Sequence, residues 1–267
     1  MNKDVQRWEF TSRKYGGGKY MDPLLDEQFR RVHLELVRRW APQLEQPRVL
    51  KTDVFAEATC PPRAFSWDIG STDRLVSVDI SPSLLTQARE NAIALGHGNT
   101  AYTAGDARAL PFADGSYDIV VSDSTLDHFH DADDIRLGLA ELARVLRPGG
   151  VLIVTLDNPS NLSEPLFRLW IALNMSPFFI GKTLSAHSLR KALTDLDLDV
   201  TDATAILHNP RLFAKAGMRL LRTLRPPGYE RAAARLLRMS DAMEHFHTRY
   251  LTGQFVAARA VKPRPGF

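Results

Sequence analysis

A single cysteine, Cys60, stands in the 267 residues, so no disulfide can form within the chain and a reducing compartment, the cytoplasm, is the expectation. Cys60 precedes Pro61 and Pro62 with no histidine or metal-ligand spacing beside it; a reactive thiol is the sharper alternative to an inert one. Long hydrophobic runs are also missing. The most apolar stretch, residues 162–180, is interrupted by Glu164, Pro165, Arg168, Asn174 and Pro177, and is too short and polar to span a bilayer. Residues 1–20 mix charge and glycine without the apolar core of a secretory signal. The eight histidines lack the paired spacing of a zinc site, so no metal is expected. No Gly-x-Gly-x-x-Gly follows the first apolar run, which disfavours a nicotinamide dehydrogenase. No nucleic-acid-binding motif is present, and no nucleic-acid partner is expected.

What remains is ordinary globular composition, 44% hydrophobic and 24% charged, enough for one sizeable core. Apolar positions across 22–40 recur at helical spacing and stop before Pro42. Residues 48–53 and 74–79 read as short strands that each finish on a carboxylate. Ser81 followed by Pro82 starts a helix, with Leu84, Leu85, Ala88 and Ala92 on its apolar face. Further strands are expected at 100–104, 117–122 and 151–156, with a helix between the last two capped by Asp131 or Asp133 and stopped by Arg147-Pro-Gly-Gly150. A helix at 186–196, a strand at 200–207, two more helices and a last strand at 250–260 complete the chain. Strands alternating with helices predict an α/β fold: a doubly wound, mostly parallel seven-stranded sheet with an α-helical cap insertion. The expected divisions are an N-terminal helical arm (1–47), a core (48–160) and the rest of the sheet with the cap (161–267), one structural domain overall.

Carboxylates at strand ends of such a sheet face its ligand crevice. Ser77-Val-Asp79-Ile80-Ser81, Ala104-Gly105-Asp106-Ala107 and the run from Ser122 through Asp127-His128-Phe129 to Asn158 together resemble class I S-adenosylmethionine-dependent methyltransferases of the small-molecule type. The resemblance is strong over 74–158 and weaker on either side. It implies S-adenosylmethionine as cofactor, with Asp79 on the ribose, Ile80 against adenine, and Asp106 with the Gly105–Ala107 backbone at the adenine edge. Ser122 joins the cofactor-binding set, as does Tyr15, if the arm carrying Tyr15, Gly16-Gly-Gly18 and Tyr20 closes over the site; a disordered tail is the other reading.

One departure stands out. Family members carry an acidic residue and glycines after the first strand; here Lys51 takes the acidic place, and Asp53, Phe55 and Glu57 the glycine places. Lys51 and Asp53, two apart, would share one side of a strand and offer an ammonium and a carboxylate to the cofactor's amino-acid end, or else pair with each other internally. Pro61 and Pro62 rule out a long first helix. For proton removal the candidates are His128 first, with Asp127 and His130 beside it.

The expected activity is methyl transfer to an oxygen, nitrogen or carbon of a small, hydrophobic acceptor held under the aromatic segment (Phe167, Trp170, Phe178, Phe179). A scaffold that has lost catalysis and a cofactor-binding enzyme of other chemistry, such as cyclisation, are the rivals. Eight basic residues between 211 and 238 are opposed by Glu230 alone, so peripheral membrane contact through 162–180 and 211–239 stands beside a plain solvated face. A monomer and a homodimer both fit.

Overall fold

The computed structural model describes residues 3–15, 22–70, 72–173 and 179–264. Its centre is a seven-stranded sheet: β1 (Val49–Thr52), β2 (Leu75–Asp79), β3 (Ala101–Ala104), β4 (Tyr117–Asp123), β5 (Leu146–Asp157), β6 (Asp199–Ile206) and β7 (Phe255–Val261). The spatial order is β3-β2-β1-β4-β5-β7-β6. The first five strands are parallel, and β7 runs antiparallel between β5 and β6. The chain reverses its winding direction between β1 and β4, and the crevice that such a switch leaves lies at the carboxyl ends of the strands.

Alternation along the strands divides the apolar core into two layers. Val49, Ile119, Val121 and Ile153 face α2 (Pro23–Trp40), which contributes Phe29, Val32, Leu36, Val37 and Trp40, and α4 (Pro82–Ala94), which contributes Leu84, Ala88 and Ala92. Leu50, Val120, Leu152 and Val154 face the other way, onto Ile135, Leu139 and Leu142 of α5 (Ala132–Val145) and Leu189 and Leu193 of α7 (Ala186–Thr194). Of the N-caps read from sequence, Ser81 forms, accepting from the Leu84 amide at 3.2 Å, while Asp131 takes the N-cap position of α5 with no side-chain cap bond; α2 is capped by Asp22, which accepts from the Leu24 amide at 2.9 Å.

The N-terminal arm carries, besides α2, a helix α1 (Lys3–Tyr15), whose scattered apolar residues gave no periodic signal. Two local expectations are corrected. β5 reaches back through Arg147-Pro-Gly-Gly150 to Leu146, with a register break between Tyr117 and Ile119. The last strand begins at Phe255, because residues from Arg249 to Thr252 close a helical turn. The first helix after β1 is, as its prolines require, short: α3 (Phe55–Thr59) gives way to single 3-10 turns. The cap consists of α6 (Glu164–Ala172), α8 (Arg211–Leu224) and α9 (Tyr229–Asp241), and α10 is the turn Arg249–Thr252.

Candidate active site

Two adjoining cavities occupy the crevice, and Trp8, Asp53 and His128 line both. The smaller lies over β1 to β3, walled by Thr52, Val78, Asp79, Ile80, Gly105, Asp106, Ala107, Thr125 and Phe129. Asp79 ends β2, where its Oδ1 accepts from the Ser81 amide at 2.8 Å and its Oδ2 from the Val54 amide at 3.0 Å. Burial holds Asp79 above the usual carboxylate range, against the opposing pull of those two amides. Each oxygen keeps a further lone pair for a hydroxyl donor. Gly105 is required by packing, since a Cβ there would sit 2.9 Å from Val78 Cγ2 and 2.9 Å from Pro111 Cδ. Asp106 lies on the wall but gives both carboxylate oxygens to Arg108, whose Nη1 also reaches Asp134 at 3.0 Å and whose Nη2 reaches Asp4 at 2.9 Å. That clasp ties α1 to the turn after β3, and Glu9, accepting from Ser81 Oγ at 2.6 Å, ties it to the start of α4.

The larger cavity is mostly aromatic and aliphatic, with Phe29, Phe55, Phe167, Trp170, Ile180, Leu212 and Phe255 on its walls. Charged groups are set among them: Asp123 at the end of β4 and Asp157 at the end of β5, opposite Arg63, Arg211 and Lys215. Burial alone would raise Asp123, but the His33 ring 3.2 Å away outweighs it and holds the carboxyl well below its usual range. Arg211 pairs with Asp157.

The first loop departs from the expectation for Lys51 and Asp53. β1 stops at Thr52, and Asp53 takes a left-handed φ of 70°, so two-residue alternation does not carry across it. Aspartate tolerates this region better than most side chains, which lets the chain bend where the family has glycine. Lys51 is paired not with Asp53 but with Glu57: its Nζ lies 3.1 Å from Glu57 Oε1, both side chains are buried, and the backbone oxygens of Thr52 and Asp53 accept from the same ammonium. Asp53 faces both cavities, with burial pushing its carboxyl up to about 7 despite the opposing Lys51 charge.

His128 lies at the junction. Its Nδ1 is 2.6 Å from the Phe179 carbonyl oxygen, which can only accept, so the ring hydrogen is on Nδ1 and the lone pair on Nε2. Trp8 packs edge-on against the ring at 4.8 Å between centroids. Asp127 and Ser122 do not line either cavity. The Asp127 carboxylate is turned inward, accepting from the Asp157 amide at 2.6 Å and the Ser124 hydroxyl at 2.9 Å. Ser122 is buried against Thr52, whose Oγ1 donates to it at 3.0 Å. His130 is exposed and accepts from Arg7 at 2.6 Å. The side chain of Tyr15, and Tyr20 with the glycines between them, lie outside the described residues, as does Phe178. Sequence reasoning missed Asp4, Trp8, Thr52, Thr125 and Phe129; only Thr125 and Phe129, flanking Asp127-His128, stood where a strand-end signal pointed.

A methyltransferase-domain family model matches residues 62–154, beginning just after the altered first loop. Over those residues the chain is similar to S-adenosylmethionine-dependent methyltransferases. It is 38% identical over 101 residues to the ubiquinone/menaquinone biosynthesis C-methyltransferase UbiE of Saccharophagus degradans, covering 37% of the chain and 39% of that relative. It therefore spans about two fifths of the length of the curated relatives it matches. In fold, it superposes on a chain of the complex between the Haloferax volcanii Trm112 methyltransferase activator and its methyltransferase, with a TM-score of 0.62 and 19% identity over 98% of this chain and 99% of that one. The [4+2]-cyclase SpnF gives a TM-score of 0.57 and 18% identity, covering 88% of this chain and 81% of that one. These likenesses establish the methyltransferase fold, in which a cyclase is also built.

Proposed function

We propose that the protein transfers the methyl group of S-adenosylmethionine to an oxygen, nitrogen or carbon of a small, apolar acceptor, in the cytoplasm. The observation that carries this reading is the pair of adjoining cavities, one acid-ended and nucleoside-shaped in its chemistry, the other aromatic, meeting at Asp53 and His128. The adenosyl half fits the residues present. Asp79 would accept from the ribose hydroxyls, Ile80 and Val78 would pack on adenine, and the Gly105–Ala107 turn would meet its edge, with Asp106 holding that turn through Arg108.

The amino-acid end is treated differently from the family pattern. With Lys51 committed to Glu57, the free-facing carboxylate at the junction is that of Asp53, the group suited to a cofactor ammonium. When bound, the cofactor supplies a sulfonium methyl already activated for in-line attack. The chain's part is placement and proton removal: the aromatic walls exclude water and align the acceptor, and His128 Nε2 takes the proton that an oxygen or nitrogen acceptor sheds.

The experiment is turnover with S-adenosylmethionine and a panel of apolar phenols, quinols and amines, read as S-adenosylhomocysteine formed and mass gained by the acceptor. Methylated product supports the reading. Consumption of an acceptor without S-adenosylhomocysteine would move the protein to non-methyl chemistry.

A further inference from the structure

Helix α8 is apolar on both sides. Its inward side packs Ala214, Met218 and Leu221 against Leu25 and Ala233, carries Leu212, Arg211 and Lys215 to the larger cavity, and sends Arg222 to Asp22. Its outward side presents Phe213, Leu220 and Leu224, at i, i+7 and i+11, exposed by 65%, 57% and 67%. The neighbouring helix repeats the pattern: Phe167 and Trp170 of α6 line the cavity, while Leu162, Leu166, Leu169 and Leu173, at i, i+4, i+7 and i+11, face out. The Arg211 guanidinium sits 4.1 Å from the Phe167 ring centre and joins the two helices above the cavity. On α9, Leu236 and Met239 are exposed next to exposed Arg235 and Arg238. Arg219, Arg225 and Arg231 are exposed as well, and Glu230 is the sole acidic residue between 211 and 239.

We propose that the outer faces of α6 and α8, together with the exposed arginines of α8 and α9, dock on an anionic lipid bilayer, with the cavity mouth turned toward the lipid. The leucine and phenylalanine stripes enter the boundary between headgroups and acyl chains, and the arginines reach the phosphates. No helix among the described residues is long and apolar enough to cross a membrane, so contact is at the surface. Two competing occupants fit less well. A nucleic acid answers the arginines but not the stripes, and a second copy in a two-fold contact would bring the same exposed arginines toward one another. That the bilayer delivers the acceptor rests on the methyl-transfer reading; the docking surface does not.

The test is co-sedimentation of the full chain with phosphatidylglycerol vesicles and with phosphatidylcholine vesicles, in the absence of cofactor. The wild type is compared with Leu169→Asp/Leu220→Asp and with Arg231→Gln/Arg235→Gln/Arg238→Gln. All five positions are exposed, and circular dichroism checks that each variant folds. Expected are binding to the anionic vesicles, weak binding to the zwitterionic ones, loss of at least about tenfold for the leucine pair, and roughly fivefold loss for each arginine removed. Equal binding by wild type and both variants, no binding to phosphatidylglycerol, or a wild-type dimer that Leu169→Asp/Leu220→Asp converts to monomer would overturn the proposal. Calorimetry with S-adenosylhomocysteine on the same samples keeps the readings apart: vesicle binding without cofactor binding ends the methyl-transfer reading and leaves the docking surface standing.

Discussion

His128 donates its Nδ1 hydrogen to the carbonyl oxygen of Phe179, 2.6 Å away, and this bond aims the ring across the junction of the two cavities. The partner carbonyl is placed by the segment between α6 and α7. Gly181 anchors that segment: its amide donates to the Asp127 carbonyl at 2.8 Å, and a Cβ on it would fall 1.8 Å from the Phe129 carbonyl oxygen. Replacing His128 with alanine is expected to lower kcat by about 10²- to 10⁴-fold, with S-adenosylhomocysteine affinity within a few-fold of wild type. Single-turnover kinetics and calorimetry on one preparation check both. An unchanged kcat would mean that placement alone carries the reaction.

Asp127, adjacent in sequence, is predicted to behave otherwise. Burial raises its carboxyl from 3.8 to about 6, more than the His128 ring lowers it, and Asp157 adds to the rise. The folded state therefore binds more protons than the unfolded state between those two values. The contribution of Asp127 to stability is therefore full below about pH 4 and is lost toward pH 6, by up to about 1.4 kcal/mol per unit. Asp127→Asn flattens that slope in urea denaturation at pH 4.5, 5.5 and 6.5, and leaves kcat within a few-fold of wild type. A loss of kcat as large as that of His128→Ala would return Asp127 to the chemistry.

The buried Lys51–Glu57 pair replaces the acid-and-glycine pattern of the family, and its two halves depend on each other. Lys51→Met leaves an uncompensated carboxylate in the interior and should cost about 3–5 kcal/mol. Lys51→Met/Glu57→Leu removes both charges and should recover a large part of that loss. The coupling energy from the four-member denaturation cycle is the measure. Additive losses would show that the two side chains act independently.

Much of the fold was legible because its signals were local and repeated. Ser81 announced its helix by capping, and Val49 and Leu50 or Val120 and Val121 alternate between the two core layers as short parallel strands must. The acid at the end of β2 was legible for the same reason: a strand end in this topology faces the crevice. What sequence did not show depends on contacts across long separations. Trp8 reaches the site only because Asp4 and Glu9 find Arg108 and Ser81, 104 and 72 positions away. Asp127 and Ser122 sit at the right strand yet point inward, a matter of rotation that composition cannot encode. Lys51 was read as a neighbour of Asp53 because two-residue alternation was carried past the end of β1, where a left-handed Asp53 breaks it.

The most direct test of the central claim is the binding of S-adenosylhomocysteine to wild type and to Asp79→Ala, measured by titration calorimetry. The account predicts saturable one-site binding that weakens by at least about 30-fold when the carboxylate is removed, as expected for losing charge-assisted hydrogen bonds to a buried diol. Absence of heat with the wild type at millimolar ligand, or equal affinity in the two proteins, would contradict it.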